Sequence, residues 1–281
     1  MKVGLAQIRP HLGNVAKNLE IHKQMIKQAK EEGVELLIFP ELSLMGYNLL
    51  DLTYDVACAV DSEEVQEIVS ESKGMDIAFG IVERSSDHIL YNSAIYASYG
   101  SVQAVHRKVY LPTYGMFDEA RYFGRGESIR AFDTRFGRVG MLVCEDMWHP
   151  SAPYLLAQDR AELLIVLANS PARGVHAKGL GTQDSWDLIL TSQAQFYGMF
   201  IACTQRVGTE DGVSFFGNST AVDPFGDTLV HGPLFEESLV TFDLELDMVR
   251  RARFTTPILR DENTDLVVRE LTRIQQHRRG E

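Results

Sequence analysis

The chain has 281 residues, of which 45% are hydrophobic and 23% charged, and a formal net charge of −12 at pH 7. This composition supports a substantial folded core and excludes a disordered chain. So acidic a balance also argues against a surface that neutralises nucleic-acid phosphates, leaving a small molecule as the expected partner.

Cys58, Cys144 and Cys203 lie far apart, with neither a CxxC pair nor Cys/His ligand spacing. A disulfide framework and a structural zinc site are therefore not expected. The opening Met1-Lys2-Val3-Gly4-Leu5-Ala6-Gln7 enters strand pattern directly, without the layout of a signal peptide, and no apolar run has the length of a membrane span. These features predict a cytoplasmic protein whose thiols stay reduced and which has no membrane partner. Arg269, Arg273, Arg278 and Arg279, near the end, read as a solvated tail or an intersubunit contact.

In chain order, Lys2–Arg9 reads as a strand. Asn14 then caps a helix with the inward stripe Val15, Leu19, His22, Ile26 and Ala29, and Gly33 closes it. His22 reads as a packed histidine. The apolar strand Glu35–Phe39 completes a βαβ unit, and Pro40 ends it, so Glu41 stands at the carboxyl end of a central strand, where open α/β sheets put their chemistry. A helix near Glu63–Ser72 is followed by strands at Ile77–Val82, Ile89–Tyr96 and Val102–Val105, with a turn at Tyr99-Gly100. The Gly-, Pro- and aromatic-rich segment Tyr110–Gly126 reads as a functional loop.

Strand pattern returns at Arg138–Val143 and ends at Cys144. Further strands are expected at Leu163–Ala168, Met199–Thr204, Ser219–Asp223, Thr228–His231 and Leu239–Phe242, with a helix at Trp186–Tyr197. Helices alternating with strands predict sheets covered on their outer faces. The absence of a linker or repeat predicts one domain over residues 1–281, with 255–281 a tail expected to take part in oligomer contacts.

Cys144, at a strand end, is the first candidate for chemistry, since free backbone N–H groups at a sheet rim can bind an oxyanion. A free cysteine is also commonly a small core hydrophobe. A thiol that attacks an amide or nitrile carbon needs a base, an acid for the leaving nitrogen and a donor for the developing charge. Glu41, desolvated at its strand end, suits the proton transfers. Lys108, just past the strand-like Ala104–Arg107, suits the fixed positive charge. Ordinary readings stand beside both: a carboxylate capping a helix start, and an exposed lysine. His106 and His149 lie near these segments in no recognisable nucleophile–histidine pattern. No HExxH, P-loop or complete GxGxxG supports a metal, nucleotide or nicotinamide cofactor.

Phe39-Pro40-Glu41-Leu42, His106-Arg107-Lys108-Val109-Tyr110-Leu111-Pro112 and Val143-Cys144-Glu145-Asp146-Met147-Trp148 together resemble the signature segments of the nitrilase superfamily, the carbon–nitrogen hydrolases. The resemblance covers nearly the whole chain and includes Phe117-Asp118-Glu119-Ala120-Arg121-Tyr122-Phe123 and Phe216-Gly217-Asn218-Ser219. It implies a four-layer αββα sandwich that forms homodimers or higher assemblies, needs no metal or cofactor, and uses a Glu41–Lys108–Cys144 triad. It further implies that Glu119 holds Lys108 and helps orient substrate, that the Glu145 N–H and the Lys108 ammonium form the oxyanion site, and that Tyr47, Tyr114, Glu145, Trp148 and Ser170 bind substrate.

Within the superfamily, Glu41-Leu42-Ser43-Leu44-Met45-Gly46-Tyr47 and Tyr114-Gly115-Met116-Phe117-Asp118-Glu119 are similar to the glutaminase domain of glutamine-dependent NAD synthetases. Asn169-Ser170-Pro171-Ala172-Arg173 matches that pocket only loosely. Ala194-Gln195-Phe196 stands where many members carry Ala-Glu-Asn, and no SGGxDS-like loop follows. The expected activity is an amidase releasing ammonia from a small aliphatic or glutamine-like amide through a cysteine thioester. The alternatives are a nitrilase or N-carbamoyl amine hydrolase, and an ammonia-supplying or non-catalytic subunit of a synthetase.

Overall fold

A computed structural model describes residues 1–279 of the chain. The first half runs through β1 (Lys2–Gln7), α1 (Val15–Glu31), β2 (Leu36–Ile38), α2 (Thr53–Val56), α3 (Glu63–Ser70), β3 (Asp76–Arg84), β4 (Leu90–Ser98) and β5 (Ser101–Arg107). After the long loop come β6 (Phe132–Thr134), β7 (Gly137–Val143), α4 (Ser151–Gln158), β8 (Leu163–Ala168), the short β9 (Val175–His176) and β10 (Gly179–Leu180), α5 (Gly181–Tyr197) and β11 (Phe200–Gln205). The rest is β12 (Val207–Glu210), β13 (Val213–Phe216), β14 (Thr220–Val222), β15 (Thr228–His231), β16 (Ser238–Asp243), α6 (Asp247–Thr255), α7 (Ile258–Asp261) and α8 (Thr264–Arg279).

Two six-stranded sheets form, in the orders β16-β1-β2-β3-β4-β5 and β15-β14-β11-β8-β7-β6. Strand alternation sorts the apolar residues into three sets. Val3, Leu5, Leu36 and Ile38 of the first sheet pack against Val139, Met141, Leu163, Ile165 and Ala202 of the second. Ala6, Leu37, Ile77 and Phe79 turn the other way, onto Leu19 and Ile26 of α1 and Val65 and Ile68 of α3. Leu142, Leu164, Val166 and Ile201 likewise face Leu156 of α4 and Trp186 and Leu190 of α5. Each large aliphatic side chain so buried contributes roughly 1.5–3 kcal/mol. The result is the expected αββα sandwich.

Local chemistry explains several element ends. The Asn14 side chain accepts the Lys17 N–H at 3.1 Å and starts α1. Tyr99 and Gly100 both have positive φ, at 53° and 74°, the conformation of a type I′ hairpin turn between β4 and β5. His22 is a packed histidine, stacked 4.1 Å from Phe39, and burial lowers its pKa to about 4.

Other expectations need correction. The helix read from Trp186 begins at Gly181, because its polar first turn hides the apolar period. β14 and β15 pair antiparallel in one sheet, and β16 pairs antiparallel with β1 in the other. Of the expected tail, residues 255–279 hold the last residue of α6, then α7 and α8, and α8 has no buried residue. Residues 280 and 281 of that segment lie outside the described residues. No helix among the described residues is long and apolar enough to cross a membrane.

Candidate active site

The parallel strands β2 and β8 and the strands β5 and β7 carry Glu41, Asn169, Lys108 and Cys144 just past their carboxyl ends. Docking the sheets face to face brings those ends together. Glu41 and Lys108 come from the first sheet, Cys144 and Asn169 from the second.

Glu41 sits in a tight turn: Leu42 has a φ of 46°, and the loop lies directly on β3. A Cβ on Gly80 would come within 2.4 Å of the Leu42 backbone nitrogen, so this approach requires glycine. Ser43 ties the turn down, its Oγ accepting the Gly80 N–H at 3.2 Å and lying 3.0 Å from His22 Nε2.

Lys108 is fully buried, and its Nζ donates to Glu41 Oε1 and to Glu119 Oε1, each at 2.8 Å. Asn92 Nδ2 donates to the same Glu41 oxygen at 2.8 Å, and the Tyr47 hydroxyl donates to Glu119 Oε1 at 2.6 Å. Burial opposes the charge on Lys108, but the Glu119 and Glu41 carboxylates outweigh it and hold the pKa well above the usual value. Burial also raises Glu41 to about 7, against the pull of Lys108 and with the repulsion of Glu119. One oxygen of each carboxylate thus serves the lysine. Their second oxygens, with Asn169 Oδ1, are buried and unpartnered among the described residues.

Cys144 has a φ of 44°, a left-handed conformation that costs a non-glycine residue about 1–3 kcal/mol and persists only where surroundings enforce it. Asp146 supplies the enforcement. Its Oδ2 accepts the Val143 N–H at 3.1 Å and lies 2.8 Å from His106 Nε2, and its Oδ1 accepts the N–H groups of Val109 at 3.0 Å and Tyr110 at 2.9 Å. Burial pushes Asp146 up, but His106 and those backbone donors hold its carboxyl below the ordinary carboxylate range. Asp146 therefore joins the segment after Lys108 to the segment of Cys144. Burial first, and the Glu41 carboxylate second, raise the Cys144 thiol well above its usual pKa, with Lys108 pulling the other way. The resting group is therefore a thiol.

In front of Cys144 lies a cavity of about 180 Å³, also lined by Tyr114, Phe117, Glu145, Trp148, Asn169, Ser170, Arg173 and Trp186. Tyr114 donates its hydroxyl to Glu145 Oε2 at 2.9 Å. Trp148 meets Trp186 edge to face at 5.6 Å, and the Arg173 guanidinium lies 5.6 Å from the Phe117 ring centre.

Glu41, Lys108 and Glu119 are thus in contact, Tyr47 touches Glu119, and Cys144, Tyr114, Glu145, Trp148 and Ser170 share the cavity. His106 braces Asp146, and His149 stacks on Tyr110 at 3.6 Å. Asn92, Phe117, Asn169, Arg173 and Trp186 carry no role in the sequence reading. The one usable signal among them is Asn92, a large polar residue in the mostly apolar run of β4. Cys58 and Cys203 are buried free thiols. Among the described residues, no cluster of His, Cys, Asp or Glu could hold a metal ion.

The carbon-nitrogen hydrolase family model matches residues 2–254. A glutamine-dependent NAD(+) synthetase of Thermotoga maritima is 33% identical over 261 residues, covering 92% of this chain and 44% of the synthetase. The chain thus spans less than half the length of that relative. A carbon-nitrogen hydrolase from Helicobacter pylori G27 superposes with a TM-score of 0.86 at 24% identity, over 96% of this chain and 98% of that one. For an amidase from Nesterenkonia sp. the TM-score is 0.79 at 23% identity, over 96% and 95% of the two chains. These two likenesses establish the shared fold. By the family match, the synthetase relative and the αββα sandwich, the chain belongs to the carbon–nitrogen hydrolases of the nitrilase superfamily.

Proposed function

We propose that the protein is an amidase that hydrolyses a small primary amide through a thioester on Cys144. The observation that carries this reading is the Lys108 ammonium clamped between two buried carboxylates, one of them raised to about 7 and electrostatically coupled to the thiol.

Glu41 takes the thiol proton as sulfur attacks the carbonyl carbon. The negative charge that develops on oxygen is stabilised by the Lys108 ammonium and the Glu145 backbone N–H. Glu41 returns the proton to nitrogen, the C–N bond breaks and ammonia leaves. Glu41 then deprotonates a water, which attacks the thioester. Acid is released, and the proton goes back to sulfur. Proton transfer by one positioned carboxylate is worth about 10²–10⁴ in rate.

An amide is favoured over a nitrile by the buried acceptor Asn169 Oδ1 on a residue that lines the cavity: a primary amide brings N–H donors to it and a nitrile brings none. Tyr114, Trp148 and Ser170 then shape the substrate's fit, while Tyr47, expected to bind substrate, acts through Glu119. Similarity to a glutamine-dependent synthetase supports a second reading, in which the chain supplies ammonia to a synthetase. The free thiols suit a reducing cytoplasm. The exposed Leu188, Phe196 and Phe254 and the unpacked α8 support a homodimer or higher assembly.

The test is an ammonia-release screen of wild type and Cys144→Ala over small aliphatic amides, glutamine, asparagine, nitriles and N-carbamoyl amines. Ammonia and acid are expected from an amide with wild type, and a loss of more than about 10⁴-fold with the variant. Ammonia release retained by Cys144→Ala would sink the mechanism. Carbon dioxide as an added product would move the assignment to a carbamoyl substrate.

A further inference from the structure

Away from the pocket, the chain buries a second ion pair. Arg206 is 1% exposed and Glu210, four residues on, 5%. Arg206 Nη1 hydrogen-bonds Glu210 Oε1, Nη2 donates to the Pro10 carbonyl at 3.3 Å, and the guanidinium lies 4.4 Å from the Phe215 ring centre. Such a pair says little about stability, because desolvating two charges consumes most of their attraction and apolar replacements often do as well. What it holds is more informative.

Glu210 Oε2 accepts the backbone N–H groups of Tyr47 and Asn48, each at 3.0 Å. Asp211, next in the hairpin, accepts Asn48 Nδ2 at 3.1 Å, and Phe215 meets the Tyr47 ring edge-on at 6.0 Å. The Tyr47 hydroxyl in turn reaches Glu119, which shares Lys108 with Glu41. The loop that carries Glu41 at its start is therefore anchored at its far end by a carboxylate outside the pocket. Two backbone donors on one ionised acceptor fix direction as well as distance.

We infer that Glu210, held by Arg206, is a positioning residue for the site: it fixes Tyr47 and so keeps the Glu119–Lys108–Glu41 chain in register. The rate predictions rest on the amidase reading; the thiol readout does not.

The experiment compares Glu210→Gln, Tyr47→Phe and the double variant in two ways. One is kcat and KM against pH with an amide substrate. The other is alkylation of Cys144 by iodoacetamide against pH, read by mass spectrometry, which needs no substrate. Glu210→Gln is expected to lower kcat about tenfold with KM within about twofold, since misplacement far from the chemistry acts on the transition state. It is also expected to move the midpoint of the acid limb, because the placement of Glu119 and Lys108 helps set the pKa of Glu41. The double variant is expected to be no worse than Tyr47→Phe, as both act through one hydrogen bond.

Effects that multiply, or a limb that does not move, overturn the inference. Melting curves check folding. If Glu210→Gln does not fold, the uncharged pair Arg206→Met/Glu210→Gln replaces it, and failure of both to fold assigns the pair to structure and overturns the positioning role. Wild type inert on every amide, with non-additive shifts in alkylation, sinks the amidase reading and leaves the inference standing. Wild-type turnover with Glu210→Gln unchanged in both readouts does the reverse.

Discussion

Around Lys108 every charged group is buried and held by another: lysine by two carboxylates, one carboxylate by Asn92, the other by Tyr47. At the mouth of the cavity, a few ångströms further out, Tyr114 is 56% exposed and Trp148 39%, and the contacts are mostly aromatic edges and faces. The interior is tied by short hydrogen bonds whose loss leaves unpaired buried charge, and the mouth by packing that tolerates exchange. Under the proposed function, the interior sets the bond attacked, and the mouth sets the molecule that presents it.

Substituting the interior has the largest expected effect. Lys108→Met is expected to lower kcat by about 10²–10³, the scale of losing one preorganised donor to a developing oxyanion. It also leaves two carboxylates buried without their cation, which raises their folded-state pKa values above the unfolded ones. The sign follows: stability is retained at low pH and lost as pH rises through the raised values. The variant's melting temperature is expected to fall between about pH 5 and pH 8. A flat calorimetric profile would mean that the box is not one electrostatic unit.

Next in size is the pH dependence of wild type. Glu41 must be ionised to accept the thiol proton, and burial holds it at about 7. kcat/KM is expected to fall about tenfold per pH unit below that value. Activity that stays level down to about pH 5 would remove the raised pKa of Glu41, a carboxylate at its ordinary pKa being ionised there.

The smallest effect belongs to the mouth. Trp148→Ala is expected to raise KM about tenfold for bulky amides while leaving kcat for the smallest within about twofold. A loss in kcat matching that of Lys108→Met would erase the division between the two regions.

Glu41, Lys108 and Cys144 were legible because each follows a strand inside a short signature. The αββα architecture followed from the same resemblance. Other features depend on contacts that no local pattern reports. Asn92 sits in a nine-residue strand, and a polar residue on a strand usually faces water; here the opposing sheet buries it. Arg206 and Glu210 are spaced like partners on a helix surface, yet they pair along one strand, Arg206 just before β12 and Glu210 at its end, and the alternation, Val-Gly-Thr-Glu, is too weak to mark it. β16 was legible as a strand, but its partner β1 lies at the other end of the chain, and strand pattern does not name a partner.

That last pairing bears on when the thiol becomes dangerous. During synthesis the chain exposes Cys144 long before Ser238–Asp243 emerges to complete the sheet that carries Glu41 and Lys108. Until the sheets close, Cys144 lacks the Glu41 and Lys108 that the other sheet carries, and is an ordinary cysteine thiol. The proposed site thus draws on both sheets, and the strand that completes the first of them is the last in the chain.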